Sequence, residues 1–148
     1  MVHNDRPAVF WNESSVAVDH NLFEILSDHS FQLWAYLIST PAIIVRELFG
    51  RSNLGEGALK TEGIDISRFV VIRPNLLLCA DPNSLKGAIK QMSHRPAHPV
   101  ESEIHQPDRR ALDDVIFDVL GLTRGERDAV YEAVVNLVQA RLKKAESV

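Results

Sequence analysis

The sequence has a single cysteine, Cys79, and no long hydrophobic run. One cysteine excludes an intramolecular disulfide and a cysteine-based zinc site, and this usage is typical of a reducing, intracellular compartment. The most apolar stretch, residues 31–45, is shorter than the roughly 20 residues that a membrane helix needs. The amino-terminal residues also lack the apolar core of a signal peptide. We therefore predict a soluble, cytoplasmic protein with no membrane partner.

Motifs of the common catalytic sites are also missing. The chain has no GxGxxG, no Gly-Lys-Ser/Thr and no GxSxG sequence, so nucleotide binding and serine hydrolysis are not indicated. Acidic residues that would complete a nuclease-type magnesium site lie far apart in sequence. Cys79 lies in an apolar run that is typical of a core. We predict that no catalytic residue lies on this chain.

Charge is unevenly distributed along a chain whose net charge is −4. Residues 1–45 carry one basic and five acidic side chains, residues 46–98 carry eight and five, and residues 99–148 carry seven and ten. A negative total argues against a generic nucleic-acid binder held by bulk attraction. The small basic excess in the middle third leaves open a local nucleic-acid contact, and chance fluctuation is an equal alternative.

Short apolar runs and helical periodicity alternate in the first two thirds of the sequence. Residues 8–11, 15–18, 22–25, 58–61, 69–72 and 76–79 are typical of short strands. Apolar residues at three- and four-residue spacing predict helices at 31–38 and 41–49, where Pro41 suits a helix start and Gly50 a stop. Asp81 is the predicted N-cap of a helix over residues 85–92. The predicted fold class is α+β, a small mixed sheet of short strands packed with helices.

Residues 93–107 hold three prolines and three histidines and few apolar residues, which indicates a linker. The linker carries the one conceivable metal cluster, which consists of His94, His98, Glu101, Glu103 and His105. An HxxxH pair binds a metal well on a helix, but Pro96 and Pro99 disfavour a helix there. We therefore predict a solvated linker and no metal site. It separates a domain at residues 1–92 from a helical appendage at residues 108–148.

In the carboxy-terminal third, apolar periodicity and capping residues predict an αα-hairpin of two amphipathic helices. The first helix follows Asp108 and ends at Gly121, a typical left-handed cap. Thr123 and Glu126 form a capping box at the start of the second helix, which extends to about Lys144. The exposed faces are acidic or mixed, which favours a packing or docking role over the reading of DNA.

Three segments carry a resemblance to a known family. The sequences ELFGRSNLGEGALK and IDISRFVVIRP, followed later by ALDDVIFDVLGLTRGERDAVYEAVVNLVQARLKKA, resemble the C-terminal region of adenine-specific N6 DNA methyltransferases of restriction–modification and phage-defence systems. The likeness covers residues 15–144, and it is most specific in the loop at residues 50–60 and in the junction at residues 120–127.

The resemblance implies a target-recognition region without the catalytic half of the family. The Asn/Asp-Pro-Pro-Tyr/Phe sequence that grips the flipped adenine and the glycine-rich turn that holds S-adenosylmethionine do not occur here. The cofactor would therefore belong to a catalytic domain that this chain lacks. The chain is expected to be an excised domain, a truncated gene product or a separate subunit that works with a catalytic methyltransferase partner.

We therefore predict a non-catalytic DNA-recognition and docking module that binds double-stranded DNA. Its phosphate contacts would come from Arg46, Arg51, Lys60, Arg68 and Arg73. Asn53 and Arg51 would reach base edges, since bidentate Asn suits adenine and bidentate Arg suits guanine. Gly55 and Gly57 would let the backbone approach the duplex. The alternative is a protein–protein interaction module of a defence-system complex with no direct DNA contact, which the net negative charge favours.

Overall fold

The computed structural model describes residues 2–3, 5–6, 8–14, 16–19, 22–52 and 57–146, and the fold within these ranges is mostly helical. The elements, in chain order, are β1 (Val2–His3), α1 (Ser30–Leu37), α2 (Thr40–Phe49), β2 (Leu59–Lys60), α3 (Gly63–Ile66), a 3₁₀-helix (Pro74–Cys79), α4 (Pro82–Ser93), α5 (Val100–Glu103), α6 (Pro107–Leu120) and α7 (Arg124–Glu146). Helix α4 packs against α6, and α2 packs against α7.

The predicted α+β class is wrong, because the small mixed sheet does not form. In the described ranges, β structure is limited to an antiparallel pairing of β1 with β2, which the bridge between Arg51 and Lys60 extends. The predicted strands at 8–11, 22–25 and 69–72 are irregular, as are residues 16–18 of the predicted strand at 15–18; Ser15 is outside the described residues. Residues 76–79 belong to the 3₁₀-helix. Short apolar runs are ambiguous between strand and other buried structure, and strand preference depends on a partner strand to pair with.

The longer helices confirm the predictions made from periodicity, and three of their ends confirm the predicted caps, whereas α6 begins at Pro107, before the predicted cap Asp108. Asp81 accepts hydrogen bonds from the backbone N–H groups of Asn83 and Ser84, each at 3.1 Å, and so caps α4. Gly121 ends α6 with φ +69°. The Glu126 carboxylate accepts the Thr123 backbone N–H at 2.8 Å, as the capping box requires. These helix ends are set by contacts between residues that are close in the sequence. The sequence alone therefore predicts them.

Three apolar clusters hold the helices together. The first contains Ile43, Val100, Ile104, Phe117, Tyr131, Val134 and Val138, and therefore joins α2 and α5 to the α6–α7 hairpin. The second joins α1, α2, the 3₁₀-helix and α6 around Leu77 and Ile116. The third joins α1, α4 and α6 around Leu85 and Leu112. Because α6 contributes to all three clusters, its residues are the centre of the core.

The segment at residues 93–107, predicted as a solvated linker, carries a buried ionic cluster. Arg95 donates to Glu103 at 2.8 and 2.9 Å and to Asp108 at 2.7 Å twice. Arg109 donates to Glu103 and to the carbonyl oxygen of Ile38, the C-cap of α1. Burial alone would raise the pKa of Glu103, but the bonds from Arg95 and the charge of Arg109 outweigh burial and lower it. The cluster therefore ties this segment to α1 and α6.

Residues 8–14, which follow β1, lie on α1 and form no strand. The Trp34 indole N–H donates to the Val9 carbonyl oxygen at 2.9 Å, and the rings of Trp11 and Trp34 lie 5.3 Å apart. Val9 packs on the second apolar cluster. Phe23 lies against the backbone of Gly63, where an added Cβ would be 3.5 Å from its ring. This contact places Phe23 beside the start of α3.

Candidate functional site

Arg51 and Lys60 of the predicted DNA-binding set form an ionic cluster with two acids. Arg51 Nη1 and Nη2 lie 3.0 Å from Glu62 Oε2 and Asp65 Oδ1, and Lys60 Nζ lies 2.7 Å from Glu62 Oε1. The hydrogen bond from Lys60 is the largest cause of the lowered pKa of Glu62. The pKa of Asp65 is lowered mainly by the backbone N–H of Glu62, with a contribution from Arg51. The cluster is electrically balanced, because each cation has an acidic partner.

The same cluster fixes the geometry of the turn after β2. Glu62 is the N-cap of α3, and its side chain and that of Asp65 form a reciprocal capping box. Arg51 faces β2 across the bridge to Lys60, so its guanidinium reaches both cap residues. The side chain of Arg51 is still 45% exposed. The arginine therefore supports the turn with part of its surface open to solvent.

Arg46 lies inside the protein. It is 3% exposed, and its Nε and Nη1 atoms have no hydrogen-bond partner within the described residues. Burial is the main cause that lowers the pKa of Arg46 to about 10, and the positive charge of Arg109 adds to this. A side chain this deeply buried offers no phosphate contact in this conformation, and we leave it out of the interface.

Gly57 also faces the interior. It has φ +69°, and a Cβ there would lie 3.0 Å from Cδ2 of Leu142 on α7. Its carbonyl oxygen accepts a hydrogen bond from Arg141, which is itself paired with Glu47 at 2.8 Å. The glycine thus allows the chain to approach α7. Asn53 and Gly55, the other loop residues predicted to approach DNA, lie outside the described residues.

Arg68 and Arg73, like Arg51, are exposed cations of the predicted set. No salt bridge to either side chain is found among the residues that the structure describes. Both follow α3 in an irregular segment that leads to the 3₁₀-helix. Of the eight predicted residues, these two are the cations whose charge is most available to a ligand.

A large apolar surface accompanies these two arginines, and sequence analysis did not predict it. Most of the exposed large hydrophobic side chains of the described residues lie in two segments. The first segment contributes Phe10, Trp11, Val16, Val18, Leu22, Phe23, Ile25 and Leu26, and the second contributes Ile64, Val70, Val71, Leu76 and Leu78. We call these thirteen side chains the apolar face. Phe23 of the first segment lies against Gly63, the residue before Ile64 of the second segment.

Contiguous exposed apolar surface marks interaction sites in soluble proteins. The short apolar runs were the signal in the sequence for these hydrophobic side chains. Their pattern predicted strands and therefore burial in a sheet. In the structure these runs are irregular or, at residues 76–79, part of the 3₁₀-helix, so they do not bury their side chains in a sheet. The side chains of Leu26 and Val70 are 85% and 65% exposed, respectively.

Across the described ranges, no group of three or more His, Cys, Asp or Glu side chains is arranged to hold a metal ion. Glu103, from the metal cluster considered above, is engaged by Arg95 and Arg109 instead. None of the helices in the described part of the chain has the length and apolar character needed to cross a bilayer.

Comparisons with protein-family models, with curated proteins and with solved structures found no match.

Proposed function

We propose that this chain is a non-catalytic docking module of a DNA-modifying assembly, in the cytoplasm, that binds a partner protein through the apolar face. The observation that carries the proposal is the concentration of exposed hydrophobic side chains in the two segments of that face. Burying such a surface against a partner is favourable by about 25 cal/mol per Å² of apolar area. The resemblance to adenine-specific DNA methyltransferases suggests that the partner is a catalytic methyltransferase domain or subunit, which would hold the S-adenosylmethionine.

The state of the predicted arginines supports a docking role. Arg46 is buried, and the charges of Arg51 and Lys60 are balanced by Glu62 and Asp65. If Arg51 and Lys60 held DNA, they would have to leave their ion pairs with Glu62 and Asp65. The carboxylates of these two acids also cap α3. The apolar face requires no such rearrangement, because its side chains are already exposed.

Site-specific photo-crosslinking in the native host tests the proposal. A benzophenone amino acid replaces Leu26 or Val70, and the matched control replaces Glu132, an exposed residue of α7. We expect both test positions to give one adduct with a methyltransferase chain, identified by mass spectrometry, and the control to give none. Absence of that adduct, or equal yield from the control position, would contradict the proposal.

A direct DNA contact is the second candidate, favoured by the exposure of Arg68 and Arg73 and by the lack of salt bridges to them in the described part. In this candidate the docked module brings both arginines to the phosphate backbone. Each phosphate contact that is lost reduces the slope of log K against log salt by about 0.9. Arg68→Ala with Arg73→Ala should therefore reduce the slope by about 1.8, if both side chains contact phosphates.

The matched control for the DNA experiment is Lys86→Ala with Lys90→Ala, which removes the same charge from the exposed face of α4. A gel-shift titration over a salt series compares the two double variants with the unmodified chain. The control should retain the original slope. Equal slopes for all three proteins would remove Arg68 and Arg73 from the DNA contacts and leave protein docking as the function.

A further inference from the structure

A shallow groove lies beside the apolar face, between the 3₁₀-helix, the start of α4 and the outer side of α6. Its volume is about 570 Å³. Leu76 and Ala80 form one wall, and Val115 and Val119 of α6 form the other. Val115 and Val119 are four residues apart and so lie on one side of the helix. The groove is therefore an apolar trough that runs along α6.

The edges of this groove are acidic. Asp81 and Asp118 line it, and no Lys, Arg or His is among its lining residues. Asp81 accepts hydrogen bonds from Ser84 and Asn83, with the Ser84 hydroxyl as the largest cause of its lowered pKa, so it stays ionised near neutral pH. Arg127 bonds to Asp118 at 2.5 Å and to Asp114 at 3.4 Å, so one cation is shared by two acids. The rim keeps a net negative charge.

We propose that this groove binds an amphipathic helix of the partner protein, with apolar residues in the trough and Lys or Arg side chains at the rim. Helices that dock into grooves insert residues at i, i+3 or i+4, and i+7. An apolar floor selects the hydrophobic face of such a helix, and the two carboxylates select cations at its margins. This inference rests on the proposed docking function and names the chemistry of the partner at one site.

Cys79 supplies a reporter at this site. It lines the groove, it is exposed, and it is the one cysteine of the sequence. A thiol reagent therefore modifies a single position. Iodoacetamide is neutral, so the nearby carboxylates do not repel it as they would an anionic reagent. An occupied groove should shield the Cys79 thiol and slow its alkylation.

The probe is a synthetic 14-residue peptide of leucine and lysine arranged as an amphipathic helix. Two comparison peptides carry Gln or Glu in place of every lysine. We expect the lysine peptide to slow alkylation of the full chain about tenfold near saturation, because the rate follows the fraction of unoccupied groove. The Gln and Glu peptides should give much weaker protection, since neither offers a cation to the rim.

Neutralising the rim tests whether protection arises at this groove. Asp81→Asn with Asp118→Asn keeps the side-chain sizes, and asparagine is as good an N-cap as aspartate. The peptide concentration for half protection should rise about tenfold, the combined effect of two exposed charge pairs. The control, Asp128→Asn with Glu132→Gln, removes the same charge from exposed positions of α7 and should leave the concentration unchanged.

Three results would overturn this inference: no protection by the lysine peptide, equal protection by the Gln peptide, or an equal shift in both double variants. Circular dichroism of each variant establishes that the helices are intact. Failure here is distinguishable from failure of the docking function. Crosslinking from Leu26 and Val70 tests whether the apolar face meets a partner at all, whereas alkylation of Cys79 reports on the groove alone.

Discussion

Asp113 of α6 caps the amino terminus of α2 from a distance of 73 residues along the chain. One carboxylate oxygen accepts the Thr40 backbone N–H at 2.8 Å, and the other accepts the Thr40 hydroxyl at 2.5 Å. Burial is the largest influence on Asp113 and raises its pKa, while Arg109 and the bonds from Thr40 oppose this effect. The start of α2 therefore depends on the position of α6.

Removing this cap should destabilise the fold. Asp113→Ala leaves the Thr40 N–H and hydroxyl buried without an acceptor, and we expect the free energy of unfolding to fall by about 2–4 kcal/mol. Urea unfolding followed by circular dichroism measures the change. The matched control is Asp114→Ala at the neighbouring exposed position, which should change stability by less than about 1 kcal/mol. Equal losses in the two variants would refute the capping role.

The ionic cluster around Arg95 should make stability depend on pH. The pKa of Asp108 is lowered chiefly by its hydrogen bonds from Arg95, and the pKa of Glu103 is also lowered. A lowered carboxyl pKa contributes stability that is present above the unfolded value and lost as the pH falls through the folded value. Since the usual values are 4.5 and 3.8, the loss should begin as the pH falls below 4.5.

Arg95→Gln tests the source of that pH dependence. At pH 7 the variant should lose about 2–3 kcal/mol of unfolding free energy, because Glu103 and Asp108 lose a partner in a largely buried site. Below pH 4, the unfolding free energies of the variant and of the unmodified chain should differ by less. Arg127→Gln, which removes a pair with two exposed acids, should cost less than about 1 kcal/mol. If the two unfolding free energies differed by the same amount at every pH, the ionic cluster would not be the cause of the pH dependence.

Gly57 and Gly87 should respond oppositely to alanine. Gly57 has φ +69° and lies against Leu142, so Gly57→Ala should cost about 1–2 kcal/mol. Gly87 lies within α4 with nothing within 4 Å of an added Cβ, so Gly87→Ala should stabilise the protein by about 1 kcal/mol. Thermal unfolding of the two variants measures whether each substitution lowers or raises stability. A neutral Gly57→Ala would show that its contact with α7 is dispensable.

Much of the helical part of this fold could be predicted from the sequence. The cap at Asp81, the stop at Gly121 and the box of Thr123 with Glu126 all involve residues within four positions of one another. Such contacts form wherever the helix itself forms. The residue pattern is therefore enough to predict them. The sheet was predicted wrongly because strand formation depends on a distant partner, which pattern analysis does not supply.

The candidate site could be predicted only in part. Exposure distinguishes Arg68 and Arg73 from Arg46, although all three are arginines close to apolar residues in the sequence. Their different environments arise because Arg46 lies on a helix packed inside the protein, whereas the other two follow α3. The apolar face could not be inferred, since the same runs would have been buried in the predicted sheet.

The sequence by itself determined the start of α4, the end of α6 and the start of α7, because their caps are interactions between near neighbours. Only the tertiary structure decided which charges are paired or buried and which apolar side chains are exposed. These outcomes depend on groups far apart in the chain, as in the contacts of Asp113 with Thr40 and of Arg141 with Glu47. A charge or an apolar side chain has the same identity in the sequence whether the fold covers it or leaves it in water.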